Sequence, residues 1–277
     1  MSGTLYVVGT PIGNLGDITA RQLEILASAD FIAAEDTRVT RGLLTHFDIH
    51  TPLVSYHEHS PEAVVQRITE RLMAGENCAV VTDAGMPCIS DPGAILVQRC
   101  ITAQIPMQVV PGPSAVISAL AVSGQDTGRF CFEGFLSVNK KQRREHLDSL
   151  RNEHRTMVFY EAPHKLVNTL RDLLDTFGDR SVTLCRELTK LHEEVTKTTL
   201  SDALASYEQT PPRGEFVLVI AGADKSAGEE QPSVEEAVEL AKKQIAAGAR
   251  AADVCREIAA KTGIPKRVLY NAVTKES

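Results

Sequence analysis

The 277-residue chain lacks any segment that could cross a membrane. It contains no run of about 18 apolar residues, which is roughly the length that a helix needs to span a bilayer. Its first residues, MSGTLYVVG, carry neither the basic region nor the cleavage site of a secretory signal. We therefore expect no membrane contact and a cytoplasmic location.

The chain also lacks the cysteine and histidine spacing of a metal site. Its six cysteines are scattered, with no C-x-x-C pair and no histidine at zinc-finger spacing. Scattered cysteines of this kind are typical of a reducing compartment. We therefore expect free thiols and no bound metal.

The glycine-rich signatures of nucleotide-binding loops are absent as well. Residues 10–14, TPIGN, follow the first apolar strand but contain neither G-x-G-x-x-G nor G-K-[ST]. This counts against an NAD-dependent enzyme. The segment is either a tight turn without a ligand or one part of a larger site.

The charge balance excludes a protein that coats nucleic acid, because the formal net charge is −7. That charge is unevenly distributed, since residues 139–155 and 233–277 are both rich in Lys and Arg. Two basic faces on an acidic body favour a selective polyanion partner. The alternative is that both are ordinary solvated helix faces.

Residues 5–120 repeat one unit five times, an apolar strand followed by a polar loop and an amphipathic helix. This alternation predicts parallel strands joined by right-handed crossovers. In such a sheet every strand-to-helix loop emerges at the carboxyl edge, where ligands of open α/β sheets bind. We therefore expect the five polar loops to lie together.

A second α/β unit follows, and its neighbouring strands without a helix between them predict a mixed sheet. The fold class is therefore α/β, with two α/β domains and a small helical tail. We predict an N-terminal domain over residues 1–122, a C-terminal domain over 123–222, a linker over 223–232 and the tail over 233–277.

The loop that follows the fourth strand, within residues 79–93 (AVVTDAGMPCISDPG), has more turn residues than a strand-to-helix connection needs. Asp91 stands just before Pro92, a pattern typical of a helix N-terminus, so we expect Asp91 to cap the next helix. A loop fixed at both ends in this way suggests a ligand against its backbone.

Two further strand ends carry charged side chains. In EDTR, Asp36 is either the N-cap of a helix with Arg38 solvated, or an anchor for a hydroxyl or phosphate. In YHEH, His57 and His59 flank Glu58, but a metal site would need a further ligand that the sequence does not offer.

The motifs VGTPIGNLGDIT, AEDTR, VTDAGMPCISDPG, VPGPSA, FEGF, FYEAPHK, RELTK and GEFVLVIAG, in this order, resemble the tetrapyrrole methylase superfamily. They are most similar to its branch that 2′-O-methylates a cytidine ribose in the decoding centre of 16S ribosomal RNA. The resemblance extends to about residue 222. It implies S-adenosylmethionine bound between two α/β domains, a homodimer and small-subunit ribosomal RNA as partner.

Two other interpretations stay open. The same fold serves tetrapyrrole-type small-molecule methyltransferases, whose first loop is usually glycine-proline-glycine and whose fourth loop carries G-D-P. This chain has Thr10-Pro11-Ile12-Gly13 and Asp83-Ala84-Gly85 instead, which favours the RNA branch. The chain could also be a non-catalytic RNA-binding or assembly module.

The resemblance implies a set of cofactor contacts from both domains: Pro11, Gly13, Asp83, Ala84, Gly85, Pro87, Ser114, Ala115, Tyr160, Glu161, Arg186, Glu187 and Leu188. Candidates for accepting the proton of a ribose hydroxyl are Asp36, His57, Glu58 and Glu187. Candidate RNA contacts are the basic side chains of Arg38, Lys140, Lys141, Arg143, Arg144, Lys190, Lys266 and Arg267.

Overall fold

The computed structural model describes residues 2–224, 233–246, 248–262 and 264–274. The chain divides into two compact units, residues 1–222 and 223–277. The predicted domain boundary at residue 122 stays a prediction, because both α/β parts lie in the first unit. The predicted linker lies outside the described residues from position 225 to its end. Within the described ranges, no helix is long and apolar enough to span a bilayer.

The first unit begins with a five-stranded parallel sheet in the order β3-β2-β4-β1-β5. Its strands are short and apolar, and those at its centre are buried on both faces: β1 (Leu5–Val8), β2 (Phe31–Ala34), β3 (Leu53–Ser55), β4 (Cys78–Val81) and β5 (Met107–Val110). Each strand precedes a helix: α1 (Ala20–Ser28), α2 (Thr37–His46), α3 (Glu62–Met73), α4 (Ala94–Thr102) and α5 (Ala115–Ser123). The sequence prediction of parallel β-α units is confirmed.

The helices of this sheet divide between its two faces. Leu26 of α1 and Leu44 of α2 pack in one cluster, whereas Ile68 of α3 and Leu96 of α4 pack in another. The chain therefore changes face at the edge strand β3, and the helices that follow the neighbouring central strands β4 and β1 lie on opposite faces, which places the switch point between these two strands. This is the position at which open α/β sheets form a ligand crevice beyond their carboxyl edge.

The second sheet is mixed, as predicted, with strand order β6-β7-β10-β8-β9. Only β6 and β7 pair in parallel. Its strands are β6 (Phe130–Phe135), β7 (Thr156–Glu161), β8 (Ser181–Arg186), β9 (Glu194–Thr199) and β10 (Phe216–Ile220). The helices α6 (Lys140–Ser149), α7 (Pro163–Phe177) and α8 (Leu200–Gln209) complete this part.

Helix α5 joins the two sheets. It follows the last strand of the first sheet, yet Val116, Ala119 and Leu120 form one hydrophobic cluster with Val158 of β7 and Val219 of β10. The helix is apolar enough to be buried in this way, since Val116, Ala119 and Leu120 are each at most 5% exposed. By sequence α5 belongs to the first α/β part, and by packing it belongs to the second.

The second unit consists of three helices, α9 (Val234–Ala246), α10 (Ala251–Thr262) and α11 (Lys266–Thr274). Their apolar side chains form a separate cluster that includes Ala237, Ala241, Ile258 and Leu269.

Asp91 does not cap helix α4, so that expectation from the sequence is wrong. The helix begins at Ala94, and its N-cap is Gly93, whose φ of 136° is open to glycine but not to most residues. The loop therefore continues two residues beyond the predicted start and leaves the Asp91 side chain free for another position.

The strand ends of the first sheet leave no room for side chains at two glycines. A methyl carbon on Gly9 would lie 2.7 Å from Cα of Gly112 and 2.8 Å from the sulfur of Met86. We expect Gly9→Ala to lower the free energy of unfolding by about 1–3 kcal/mol, because backbone atoms must move apart. Urea denaturation measures this change.

Gly42 provides the matched control, since it lies inside α2 and an added methyl carbon there meets no atom within 4 Å. Gly42→Ala is expected to raise the free energy of unfolding by about 0.5–1 kcal/mol through helix propensity. Equal effects of the two substitutions would contradict the close approach of Gly9 to Gly112, just beyond the ends of β1 and β5.

Candidate active site

A cleft of about 340 Å³ lies between the carboxyl edge of the first sheet and the second sheet. Its volume is within the range of about 300–1,000 Å³ that small-molecule sites occupy. The first α/β part contributes Ile12, Glu35, Asp83, Ala84, Gly85, Met86, Ile89, Ser90, Asp91, Ser114 and Ala115. The second contributes Phe135, Tyr160, Glu161, Ala162, Cys185, Glu187, Leu188, Lys190, Glu215, Phe216 and Val217.

The loops after β1 and β4 are paired through their backbones on the floor of this cleft. Thr10 N–H donates to the Gly85 carbonyl at 2.9 Å, and Gly85 N–H donates to the Thr10 carbonyl at 3.1 Å. The buried Thr10 hydroxyl also donates to the Thr82 carbonyl at 3.1 Å. Gly85 has a φ of 90°, a conformation that side chains with a Cβ rarely adopt. The pairing therefore depends on glycine at this position.

The loop between β4 and α4, residues 82–93, is called the β4 loop below. Its second half is closed by a backbone hydrogen bond. Cys88 N–H donates to the Pro92 carbonyl at 3.2 Å, and the Cys88 sulfur fills the space where a side chain on Gly93 would stand. Cys88 and Ser90 have φ values of 71° and 61°, which are uncommon for residues other than glycine. Strain of this kind persists only where the surrounding structure fixes it, and it is concentrated at functional sites.

Three carboxylates gather beside this loop. The Thr82 hydroxyl donates its proton to Glu35 Oε2 at 2.6 Å. Asp83 accepts the N–H of Asp36 at 3.1 Å. Burial and the charge of Glu35 raise the pKa of Asp91 to about 6, and burial also raises the pKa of Asp83. Asp91 is therefore poised to exchange a proton near neutral pH.

Asp36 has the structural role that the sequence left open. It caps α2 by accepting the N–H of Arg38 at 2.8 Å, and its carboxylate pairs with the Arg38 guanidinium. These hydrogen bonds lower the pKa of Asp36 to about 2. Asp36 is therefore a poor proton acceptor, and neither Asp36 nor Arg38 lines the cleft.

His57 and Glu58 lie in a neighbouring cavity, also of about 340 Å³, that opens beside the cleft. Both side chains are exposed, on a loop in which His57 N–H donates to the Ser60 hydroxyl. Ser90 and Asp91 line both the cleft and this cavity. The two candidates are thus close to the cleft but separated from it by the β4 loop.

Glu187 and Lys190 form part of the wall that the second sheet contributes. Lys190 Nζ donates to Glu187 Oε1 and to Glu215 Oε2, both at 2.9 Å. Its methylene chain lies against Gly13 of the first loop, where an added methyl carbon would be 2.5 Å from Lys190 Cγ. The hydrogen bond from Lys190 is the largest cause of the lowered pKa of Glu187. Glu187 therefore serves better as an anionic contact than as a base.

Glu161 and Arg143 belong to a structural network behind the cleft wall. Glu161 is 3% exposed and accepts hydrogen bonds from the Thr169 hydroxyl and from the N–H of Ala162. Arg143 donates to the same Thr169 hydroxyl at 2.8 Å and pairs with Asp172 at 2.6 Å. The Arg143 side chain is only 14% exposed, which makes it the least accessible of the basic side chains predicted on α6.

The structure thus brings together most of the predicted cofactor contacts, because Asp83, Ala84, Gly85, Ser114, Ala115, Tyr160, Glu161, Glu187 and Leu188 line the cleft. It does not bring Pro11, Gly13, Pro87 and Arg186 to the lining. Arg186 instead pairs with Glu194 on the adjacent strand at 2.7 Å. Of the predicted RNA contacts, only Lys190 lines the cleft.

Sequence reasoning missed Glu35, Asp91 and Phe135 as lining residues. The sequence did indicate Glu35, because it stands directly before Asp36 at a strand end in the EDTR motif. Phe135 follows a bulge in the pairing of β6 with β7, where Glu133 is the unpaired residue, and a sequence does not reveal such a bulge. The sequence around Asp91 is typical of a helix cap, and only the backbone of the β4 loop shows that Gly93 is the N-cap instead.

Comparisons with known proteins identify the family to which the chain belongs. Residues 4–204 match the family described as Tetrapyrrole (Corrin/Porphyrin) Methylases. The chain belongs to the tetrapyrrole methylase family. Its motifs and both of its sheets lie wholly or largely within the matched residues.

Relatives of this methylase match over most or nearly all of its length. A protein of Synechocystis sp. called Ribosomal RNA small subunit methyltransferase I is 48% identical over 97% of this chain and 96% of its own. A Bacillus subtilis protein of the same name is 41% identical over 98% and 94%. A third, from Thermotoga maritima, is 48% identical over 220 residues, which are 79% of this chain and 99% of that protein.

Solved structures agree on the fold. A uroporphyrin-III-C-methyltransferase from Thermus thermophilus covers 78% of this chain and 94% of its own, with a TM-score of 0.56 and 21% identity. A diphthine synthase covers 79% of this chain and 90% of its own, with a TM-score of 0.60 and 14% identity. The two-sheet α/β architecture is therefore that of the family.

Enzymes of this family take their methyl group from S-adenosylmethionine, which is the cofactor of this methylase. The cleft fits that molecule chemically. Its carboxylates suit a sulfonium and an ammonium group, while Ile12, Phe135 and Leu188 offer apolar surface for a base. The buried Thr189 hydroxyl has no protein partner in the described part of the chain and lies next to the lining residue Leu188.

Cofactor binding should be lost when the β4 loop cannot keep its conformation. Gly85→Val places a β-branched side chain at a φ of 90°, although no atom lies within 3.4 Å of the new Cβ. We expect the affinity for S-adenosylmethionine, measured by calorimetry, to fall at least about a hundredfold while the protein stays folded.

Gly178→Val is the matched control, because Gly178 also has a positive φ of 73° but ends α7, and no residue of α7 lines the cleft. Gly178→Val should lower the free energy of unfolding without changing the affinity for S-adenosylmethionine. If the affinity of Gly85→Val equalled that of the control, this loop would not hold the cofactor.

Ionisation of the Asp91 carboxyl should make the folded protein less stable at neutral pH than at acidic pH. Its folded pKa of about 6 lies above the ordinary value of 3.8, so the folded state binds the proton more tightly than the unfolded state. The stability contribution of Asp91 therefore falls as pH rises from about 4 to about 6. Because the side chain is half-buried, solvent weakens the effect, and we expect Asp91→Asn to raise the melting temperature by about 2 °C at pH 8.

The same substitution should leave the melting temperature nearly unchanged at pH 3, where the Asp91 carboxyl of wild type is mostly protonated in both the folded and the unfolded state. Asp48→Asn, at a side chain that is 95% exposed, serves as control at both pH values. A stabilisation by Asp91→Asn that did not depend on pH would contradict the raised pKa.

Proposed function

We propose that this methylase transfers the methyl group of S-adenosylmethionine to the ribose 2′-oxygen of a cytidine in the decoding centre of small-subunit ribosomal RNA. The observation that carries the proposal is the full-length match to proteins called Ribosomal RNA small subunit methyltransferase I. At 41–48% identity over more than nine-tenths of both chains, the match includes the cleft as well as the fold.

The chemistry of the cleft supports a hydroxyl acceptor. Methyl transfer from a sulfonium is an in-line displacement, so alignment of the acceptor oxygen with the methyl carbon supplies much of the rate. A ribose hydroxyl is a poor nucleophile until its proton is removed, and a positioned base adds about 10² to 10⁴ in rate. A cleft rimmed by Glu35, Asp83 and Asp91 offers carboxylates for this step.

The surface charge supports a polyanionic substrate. Lys140, Lys141 and Arg144 stand exposed on α6, and the nearest carboxylates to the latter two are 3.9 and 3.7 Å away. In the second unit, Lys266 and Arg267 are exposed at the start of α11. Such contacts give affinity without reading sequence, as phosphate contacts do. We also propose that the enzyme is a homodimer, works without a metal and acts in the cytoplasm, where ribosomes are assembled.

The test is to incubate the enzyme with labelled S-adenosylmethionine and small ribosomal subunits that lack the modification. Parallel reactions contain free small-subunit RNA or a uroporphyrinogen. We expect label in one RNA nucleotide, which nuclease digestion and mass spectrometry identify as a 2′-O-methylcytidine. Label in the uroporphyrinogen alone would support a small-molecule methyltransferase, and no label in any acceptor would support a non-catalytic RNA-binding module.

The role of α6 can be tested separately. We expect the triple substitution of Lys140, Lys141 and Arg144 by Ala to weaken RNA binding at least about tenfold in low salt. The slope of log affinity against log salt should fall by about 2–3, since about one counterion is released for each lost contact. Fluorescence anisotropy with labelled RNA measures both quantities.

Its control is the triple Ala substitution of Arg21, Arg41 and Arg67, which removes the same charge from exposed positions on α1, α2 and α3. An equal loss in both variants would mean that net charge, and not α6, determines the affinity.

A further inference from the structure

The cleft and the neighbouring cavity share one wall, and Asp91 is the ionisable residue in it. Ser90 and Asp91 line both spaces. On the far side, the neighbouring cavity is bounded by Tyr56, His57 and Glu58 after β3. A molecule bound in the neighbouring cavity would be separated from the cofactor cleft by the wall that contains the Asp91 carboxylate.

The backbone holds this carboxylate in place. The hydrogen bond between Cys88 and Pro92 closes the loop beneath Ser90 and Asp91. On the side of the second sheet, a methyl carbon on Gly134 would lie 3.2 Å from the Ser90 hydroxyl, so the loop tip touches β6. A side chain held in this way can act repeatedly in one geometry.

Resting on the function proposed above, we propose that the neighbouring cavity holds the nucleoside to be methylated and that Asp91 accepts the proton of its 2′-hydroxyl. The volume of about 340 Å³ suffices for a single nucleoside turned out of its strand. The ribose would then lie at the shared wall and the base in the cavity between the β3 loop and α4.

The step balances without another reactant. A bond forms between the ribose oxygen and the methyl carbon, and the bond between that carbon and sulfur breaks. The electron pair of the broken bond stays on sulfur, which becomes an uncharged thioether. The hydroxyl proton passes to the Asp91 carboxylate, which returns it to water after the products leave.

The charged and titratable groups around Asp91 explain why it suits this role better than its neighbours. Glu35 and Asp83 face it from the strand ends, Cys88 from its own loop and Tyr160 from β7. His57 and Glu58 face it across the cavity. Because burial and the two carboxylates raise its pKa to about 6, Asp91 is a stronger base than an ordinary carboxylate yet is ionised at pH 7.

The first experiment compares Asp91→Asn and Asp91→Glu with wild type on small ribosomal subunits. We expect Asp91→Asn to lower kcat at least about a hundredfold, while calorimetric affinity for S-adenosylmethionine changes less than tenfold. Asp91→Glu should restore part of the rate. The wild-type rate should rise about tenfold from pH 5 to pH 7, in step with ionisation of a group of pKa about 6. Asp48→Asn makes the same chemical change at an exposed site and should leave kcat unchanged.

The second experiment fills the proposed nucleoside cavity. Ala94 is exposed at the first position of α4 and lines this cavity but not the cleft. Ala94→Leu should raise KM for the RNA about tenfold and leave the affinity for S-adenosylmethionine unchanged. Ala20→Leu, at the exposed first position of α1, is the matched control and should change neither value.

The outcomes separate this inference from the function on which it rests. If wild type labels no ribosomal RNA, the proposed function fails and this inference fails with it. If wild type labels the RNA but Asp91→Asn keeps kcat within about threefold, with the same pH profile, only the role of Asp91 is overturned. An Ala94→Leu variant with unchanged KM would remove the nucleoside from this cavity.

Discussion

The backbone pairing of Thr10 with Gly85 is the contact on which the rest of the site depends. Two hydrogen bonds join the loops that follow neighbouring strands, and the close approach of Gly9 to Gly112 brings in the loop after β5. Buried strands of four residues cannot by themselves fix the path of the loops beyond them. The loops fix one another instead, through backbone groups, and so leave side chains free to line the cleft.

The carboxylates of the site fall into two groups, those paired with a cation in a structural role and those available for proton transfer. Asp36 and Glu187, each paired with a cation, are held at a low pKa and serve as fixed anions. Asp91 is half-buried and faces Glu35 and Asp83, so burial and these carboxylates raise its pKa to about 6. When neighbouring carboxylates lie in different environments, their pKa values differ. The same functional group can then serve as a fixed anion at one position and as a base at another.

Much of this fold could be predicted because its causes are local. Apolar runs of four residues followed by Gly- and Pro-rich loops specify parallel β-α units, and parallel strands bring Asp83, Ser114 and their loops to one edge. Strand order could not be predicted, because it depends on how helices pack over the sheet. Asp91 was misjudged for a related reason, since the positive φ values at Cys88 and Ser90 turn the chain away from an immediate helix start. Pairings such as Arg143 with Asp172 join different helices, so no local pattern announces them.

Helix α5 has a consequence for how molecules reach the cleft. Its N-terminal residue Ala115 lines the cleft, while its body is buried against the second sheet. A nine-residue helix is a rod of about 13 Å, and densely packed interiors do not deform gradually. The helix therefore moves as one body with the second sheet. Any change in the distance between the two sheets has to bend the chain at residues 111–114, between β5 and α5, and carries Ala115 away from the loops of the first sheet.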